Sequence, residues 1–583
     1  MRKFFLLLLL IGSSRFYAEE AGEGAFLSEE IIAKRIHGHL VLKDKDEAYL
    51  EACAGIKQFP DSPQIYKAYI YALAEKGHEQ EMLFAWKMYQ TLAPAQDFRQ
   101  TIEKMAWGVI EKGAQSTSPM VRIMSILAAF LSQDAKGVSL LAAHLNDSNA
   151  FIRKAVVELA GNLRDDMLCK KILSILRQER NWGVYEEAIK SAGSMKISAA
   201  APHLTKILVD DKTSFEEKKG ALVSLVNMTD SISHEQLQQL IASPRMGLRL
   251  LACELVCHLM LEEEIESLII LTKDSQAQVR SAALQVLGLL GRTPKHQARV
   301  LECALQLTSD RDPHVLIPAA WVLTLLDHPR AEGLFKSLLE HHEPTVRVAA
   351  AGALTSTGKY GIPLLQHALN ASNDPFVRLN AALGLIAQQV EIAKACEILY
   401  QGLQEQPQRW MWDEFGIFKA LAPSTLTHDD AIPRYPESVD QATRLEILNT
   451  LAIMNSTHAQ EAIKNFLKEK VWGISGMASI LLLTEGDEAA LSIIENLIED
   501  PDQQIRIQAA LILALWGRGE KAIRTLQEAY PGASRDLKER ILEGLGKVAS
   551  ETSIPFLIDK LETEPFQTLR ILAASSLLMC LNH

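Results

Sequence analysis

Between Gly333 and Leu385 the chain repeats one pattern twice, and this limits its fold more than any other feature. Val346-Arg347 and Val377-Arg378 stand 31 residues apart, each following a polar turn and opening an Ala-rich segment. Val346, Ala349, Ala350, Ala353 and Leu354 recur at i, i+3, i+4, i+7 and i+8, the spacing of one helical face. Ile362, Leu365, Ala368 and Leu369 mark the apolar face of the segment between them. The unit is a helical hairpin that buries too little surface alone, so neighbours must stack in series. The spacing predicts an all-α solenoid, a superhelix of stacked two-helix repeats.

The same step is visible along most of the chain. Val121-Arg122, Ile152-Arg153, Leu248-Arg249, Val279-Arg280, Ile505-Arg506 and Leu569-Arg570 each place an aliphatic residue before Arg at a predicted helix start. Eroded rungs between them give roughly 15 hairpins from Gln115 to His583 at this period. Asp147, Asp274, Asp500 and Glu564 lie six residues before Arg153, Arg280, Arg506 and Arg570. An Arg at a helix start faces the unfavourable end of the helix dipole unless an acid is within reach, which makes these eight residues structural ones.

With Val-Arg-x-x-Ala-x-x-Ala/Leu and a preceding Pro-x-Leu, as in Ile362-Pro363-Leu364-Leu365 and Ile554-Pro555-Phe556-Leu557, the pattern resembles HEAT repeats. The resemblance is to the short bacterial class first recognised in phycobilisome lyases. It implies that acids and arginines of successive units form a buried ladder and that the Val-Arg helices line a concave inner face. It also implies that Lys154, Ser281, Gln285 and Thr355 meet solvent there as candidate contacts. Residues 45–115, with EAYLEACAGIKQFP, a turn at Asp61-Ser62-Pro63 and QIYKAYIYALAEKG, resemble a tetratricopeptide repeat; a helical cap for the solenoid is the alternative.

Residues 404–441 break the period with two of the eight Trp and four Pro, so they read as an insertion or a distorted repeat between solenoid stretches at 116–403 and 442–583. Insertions in solenoids project from one face and often bind partners. Trp410, Trp412, Phe415 and Tyr435 are candidate anchors, the alternative being that these aromatics plug a seam between two sub-solenoids.

At the N-terminus, Arg2-Lys3 precede an apolar run from Phe4 to Ile11, and Glu19-Glu20 follow Ala18. That order reads as a secretory signal over residues 1–18, followed over 19–44 by a flexible segment that ends in a short helix through Ser28–Arg35, and implies export to a periplasm or beyond. No later run is long enough to span a membrane. Net charge is −12, which repels phosphate backbones and argues against nucleic acid as a partner. The seven cysteines are scattered among apolar helix positions and read as small core residues.

The sequence has no phosphate loop, nucleophile elbow or zinc-protease helix. His234-Glu235 and His342-Glu343 are too few to surround a di-iron centre, so neither a metal nor a cofactor is expected. The reading is an exported, non-enzymatic scaffold binding a protein or peptide on its concave face or its insertion. The alternatives are a lyase-like protein or enzyme accessory with a small-ligand groove, and an envelope component that self-associates through an open apolar end at Leu577, Leu578 and Met579.

Overall fold

A computed structural model describes residues 28–582 apart from 95–96, 133, 406, 427–434, 469–481 and 484–487. The proposed signal segment lies outside the described residues. Apart from one β-hairpin, the regular structure of the described residues is helical, as antiparallel pairs in sequence order. The chain divides into two compact units, one comprising Met1–Ser132 with Ala549–His583 and the other Gln133–Val548.

Local sequence explains where the helices begin. Asn149, Asp312, Asp374 and Asp502 each accept a backbone N–H from two residues on, capping the helix that follows. Pro occupies the first turn at Pro313, Pro344 and Pro375, where its missing N–H costs nothing. The second helix of each hairpin, which carries the Arg at most rungs and Leu316 in its place in Pro313–Leu325, is called the Arg helix below.

The Arg residues tie the units together in two ways. First, Nη1 donates to the carbonyl six residues earlier: Arg153 to Asp147 at 2.8 Å, Arg249 to Ser243 at 2.9 Å, Arg280 to Asp274 at 2.9 Å and Arg347 to His341 at 2.7 Å. Arg506 and Arg570 do the same to Asp500 and Glu564, at 2.7 and 2.8 Å. These carbonyls lie just beyond the first helix of the unit, where the chain leaves its last turn, so each Arg closes its own hairpin. Second, Nε and Nη2 grip the acid of the following unit: Arg153–Glu179, Arg249–Asp274 and Arg280–Asp310 are two-pronged pairs at 2.5–3.0 Å. Arg347 meets Asp374 at 2.8 Å.

The carboxylate six residues upstream is therefore not the partner of its own unit's Arg. Asp274 serves Arg249, and Arg280 takes Asp310. Asp147 accepts the N–H of Asn149 at 2.8 Å, Asp500 takes Lys464 at 2.7 Å, and Glu564 gives Arg570 its carbonyl. The pairing thus runs between successive hairpins, as the resemblance implies, with Asp274 one of its acids.

Arg153 holds the Glu179 carboxyl, and Arg280 that of Asp310, below the ordinary carboxylate range by direct hydrogen bonding. A lowered folded-state pKa means that unfolding takes up protons, so this stabilisation is complete above the unfolded value and is lost as pH falls through the folded one. Between pH 7 and pH 4 a Glu179→Gln chain is expected to lose less urea resistance than the parent. Equal losses would contradict the ladder's share. Arg280→Ala, which strands Asp310 at 7% side-chain exposure, is expected to lower stability by about 2–3 kcal/mol, read as a fall in the urea midpoint.

In the first unit, helices Glu29–Val41, Lys45–Gln58, Pro63–Lys76, Glu79–Leu92, Arg99–Ala114 and Pro119–Leu131 are completed by Ile554–Thr563 and Gln567–Asn582 from the far end of the sequence. Gln567–Asn582 packs against Arg99–Ala114 and Pro119–Leu131, so it is buried nearly all round. Leu577 and Leu578 are 0% and 1% exposed and Met579 is half-buried. The expected open apolar end is thus covered by the chain's own N-terminal helices. The ladder crosses with it: Arg570 Nε donates to Glu79 Oε1 at 2.5 Å, across a sequence separation of 491. Lys87–Glu562 at 3.0 Å and Arg99–Glu551 support the same seam.

Candidate functional site: the Arg helices and their hairpin

The second unit carries the period-breaking segment. Its first part is an antiparallel hairpin, β1 (Trp410–Phe415) and β2 (Phe418–Pro423), with Trp410 opposite Pro423 and Phe415 opposite Phe418. Gly416 takes the first of the two turn positions at φ +70°, where this kind of tight turn demands glycine. At the base, the Ser424 N–H bonds to the Arg409 carbonyl at 2.7 Å.

Four successive Arg helices receive this hairpin: Ala277–Leu290, Pro313–Leu325, Pro344–Thr355 and Pro375–Ala387. Gln285 of the first, 6% exposed, accepts the Ile417 N–H at 2.9 Å and donates to the Phe415 carbonyl at 3.4 Å. Trp321 of the second meets Phe418 edge to face at 5.1 Å. Gly352 of the third leaves its backbone bare, and a Cβ there would stand 2.6 Å from the Ala420 Cβ and 3.1 Å from the Lys419 carbonyl. Asn380 of the fourth, 1% exposed, donates to the Leu421 carbonyl and accepts the Leu421 N–H, both at 2.8 Å.

The hairpin's other neighbour is helix Tyr435–Ile453. Asp440 accepts the Trp410 N–H at 2.6 Å and holds Arg444, whose guanidinium lies 4.6 Å over the Trp410 ring. Lys419 sits 4.4 Å over Trp412 and 3.6 Å from Glu446.

The residues singled out from sequence therefore have varied surroundings. Trp410 is fully buried and Gln285 nearly so, which removes both as solvent-facing contacts: the hairpin covers one and helix Tyr435–Ile453 holds the other. Trp412 and Phe415 are half-buried on β1, and Tyr435 opens its helix. Ser281 donates to the His314 carbonyl of the next Arg helix at 2.9 Å, and Thr355 to the Gly352 carbonyl at 2.7 Å. Lys154 alone of the four inner positions is exposed. It stands in helix Ala150–Gly161 near two residues that sequence reasoning missed. Phe151, 65% exposed, and Trp182, 54% exposed, occupy the first turns of successive packed helices.

Among the described residues no three His, Cys, Asp or Glu side chains gather as a metal set, and no helix is long and apolar enough to cross a membrane. His234 is bonded to Glu264 at 2.7 Å.

The family described as HEAT repeats matches residues 301–386 and 490–578. No curated protein matches the sequence. Among known structures the chain is similar to the myosin chaperone UNC-45 from C. elegans, at 12% identity over 95% of this chain and 81% of that one, TM-score 0.33. It is similar also to the CpcE and CpcF complex of phycocyanin lyase from Nostoc sp. PCC7120, at 16% identity over 52% of this chain and 93% of that one, TM-score 0.21. The two matched stretches carry HEAT repeats, and the stacked helix pairs make the fold of this chain an all-α solenoid.

Proposed function

We propose that the protein is a non-enzymatic scaffold, exported from the cell, that binds a protein partner through its Arg-helix face. The observation that carries this reading is the exposed pair Phe151 and Trp182 beside Lys154. Large aromatics that remain in water on a chain with this much buried apolar surface mark a contact patch, because aromatic anchors supply most of the energy of a typical interface. A flanking lysine suits a partner with an acidic residue beside its apolar one. The solenoid supports the reading by offering a long row of equivalent helix starts rather than one enclosed pocket.

The test compares partner capture from an envelope extract by the intact chain and by a Phe151→Ala/Trp182→Ala chain. The double variant is expected to lose about tenfold or more in retention with an unchanged melting profile. Equal capture by the two chains would remove the patch as the docking point.

A further inference from the structure

The contacts beneath β2 are those of a receptor for an extended chain. Asn380 uses both ends of its amide on the main chain of one residue, giving an N–H to the Leu421 carbonyl and taking the Leu421 N–H. Gln285 does the same to the turn, across Phe415 and Ile417. An amide used in this way reads a peptide group and ignores the side chain attached to it. Between the two amides, Trp321 offers an aromatic wall to Phe418, and Gly352 lets the strand backbone approach to Ala420. Phe418, Ala420, Leu421 and Ala422 are buried, while Lys419 is exposed and turns to Glu446 and Trp412 instead. The face therefore selects side chains at these four positions and leaves only that of Lys419 free.

We propose that these four Arg helices form an extended-peptide site, kept filled in cis by β2 and able to take a partner segment of pattern aromatic–x–Ala–aliphatic–Ala. This rests on the scaffold reading and names the chemistry of the partner. The occupant is an extended segment recognised by its backbone at Leu421's position and by small side chains over Gly352. Lys419's position accepts any residue.

The hairpin is removable by design of its base, because Arg409 and Ser424 are already hydrogen-bonded to each other. A chain with residues 410–423 replaced by a short Gly-Ser linker is titrated with a labelled peptide spanning Ile417–Ser424. Saturable binding is expected, weakened about tenfold or more when the peptide is N-methylated at Leu421 or when the chain also carries Asn380→Leu. A folded replaced chain that ignores the peptide, or binds the N-methylated form equally, overturns the proposal. If the replaced chain does not fold, the intact chain is digested with trypsin in excess peptide carrying Lys419→Gln, which trypsin does not cut. Cleavage after Lys419 is then expected to quicken with the plain peptide and not with its N-methylated form; no quickening also overturns the proposal. The Phe151/Trp182 capture is read separately. Peptide binding without capture defeats only the scaffold reading, and capture without peptide binding defeats only this inference.

Discussion

Arg570→Ala is expected to lower the opening free energy of helix Gln567–Asn582 by about 3 kcal/mol. Glu79 is 6% exposed and Arg570 supplies its charged partner at 2.5 Å. Removing the guanidinium leaves a carboxylate in a nearly dry site and also frees the Glu564 and Pro565 carbonyls that Nη1 satisfies. Breaking one side of a buried pair costs more than replacing both, so Arg570→Met with Glu79→Leu is expected to recover most of the loss. Native-state hydrogen exchange of the helix amides reads the effect locally, without requiring the two units to unfold together. Protection unchanged within about 0.5 kcal/mol would show that apolar packing of Leu569, Leu572 and Leu577 closes the unit alone.

Asn380→Leu is expected to release β2. The substitution keeps the volume and removes both partners of the Leu421 peptide group, and each orphaned buried group costs about 1–3 kcal/mol. The Asn380 side chain also donates to the Phe376 carbonyl at 2.8 Å, a bond within its own helix whose loss the helix ladder tolerates. Trypsin cleavage after Lys419 in the intact chain is expected to accelerate roughly tenfold or more as the strand lifts. Gly352→Val should act in the same direction by crowding Ala420 and the Lys419 carbonyl, with Asn380 untouched. If both variants resist trypsin like the parent, the hairpin is held by helix Tyr435–Ile453 and not by the Arg helices.

What the sequence disclosed depended on how local the cause is. The helix pairs were legible because Val346, Ala349, Ala350, Ala353 and Leu354 repeat the period of a helix, and because Pro344 and Pro375 punctuate the starts. The ladder's arginines were legible for the same reason. Their acids were legible only in part: Asp274 stands in the ladder, but each partner lies 25 to 30 residues onward, a distance that varies with each loop. The hairpin was hidden by composition: Lys419-Ala420-Leu421-Ala422 suits a helix as well as a strand, and only its neighbours decide. A clue did exist in residues 344–355, whose apolar residues leave no face for water and so require cover on both sides. The pairing of Glu79 with Arg570 leaves no local trace.

That pairing has a consequence for synthesis. The ribosome releases Glu79 early and Arg570 only 491 residues later, which at roughly 5–20 residues per second is a delay of about 25–100 s. Throughout that interval helices Arg99–Ala114 and Pro119–Leu131 expose the surface later covered by Gln567–Asn582. The nascent protein thus has a long window in which its earliest helices are open to holdases or to misassociation, and a premature stop codon near the end leaves the beginning of the molecule unfinished.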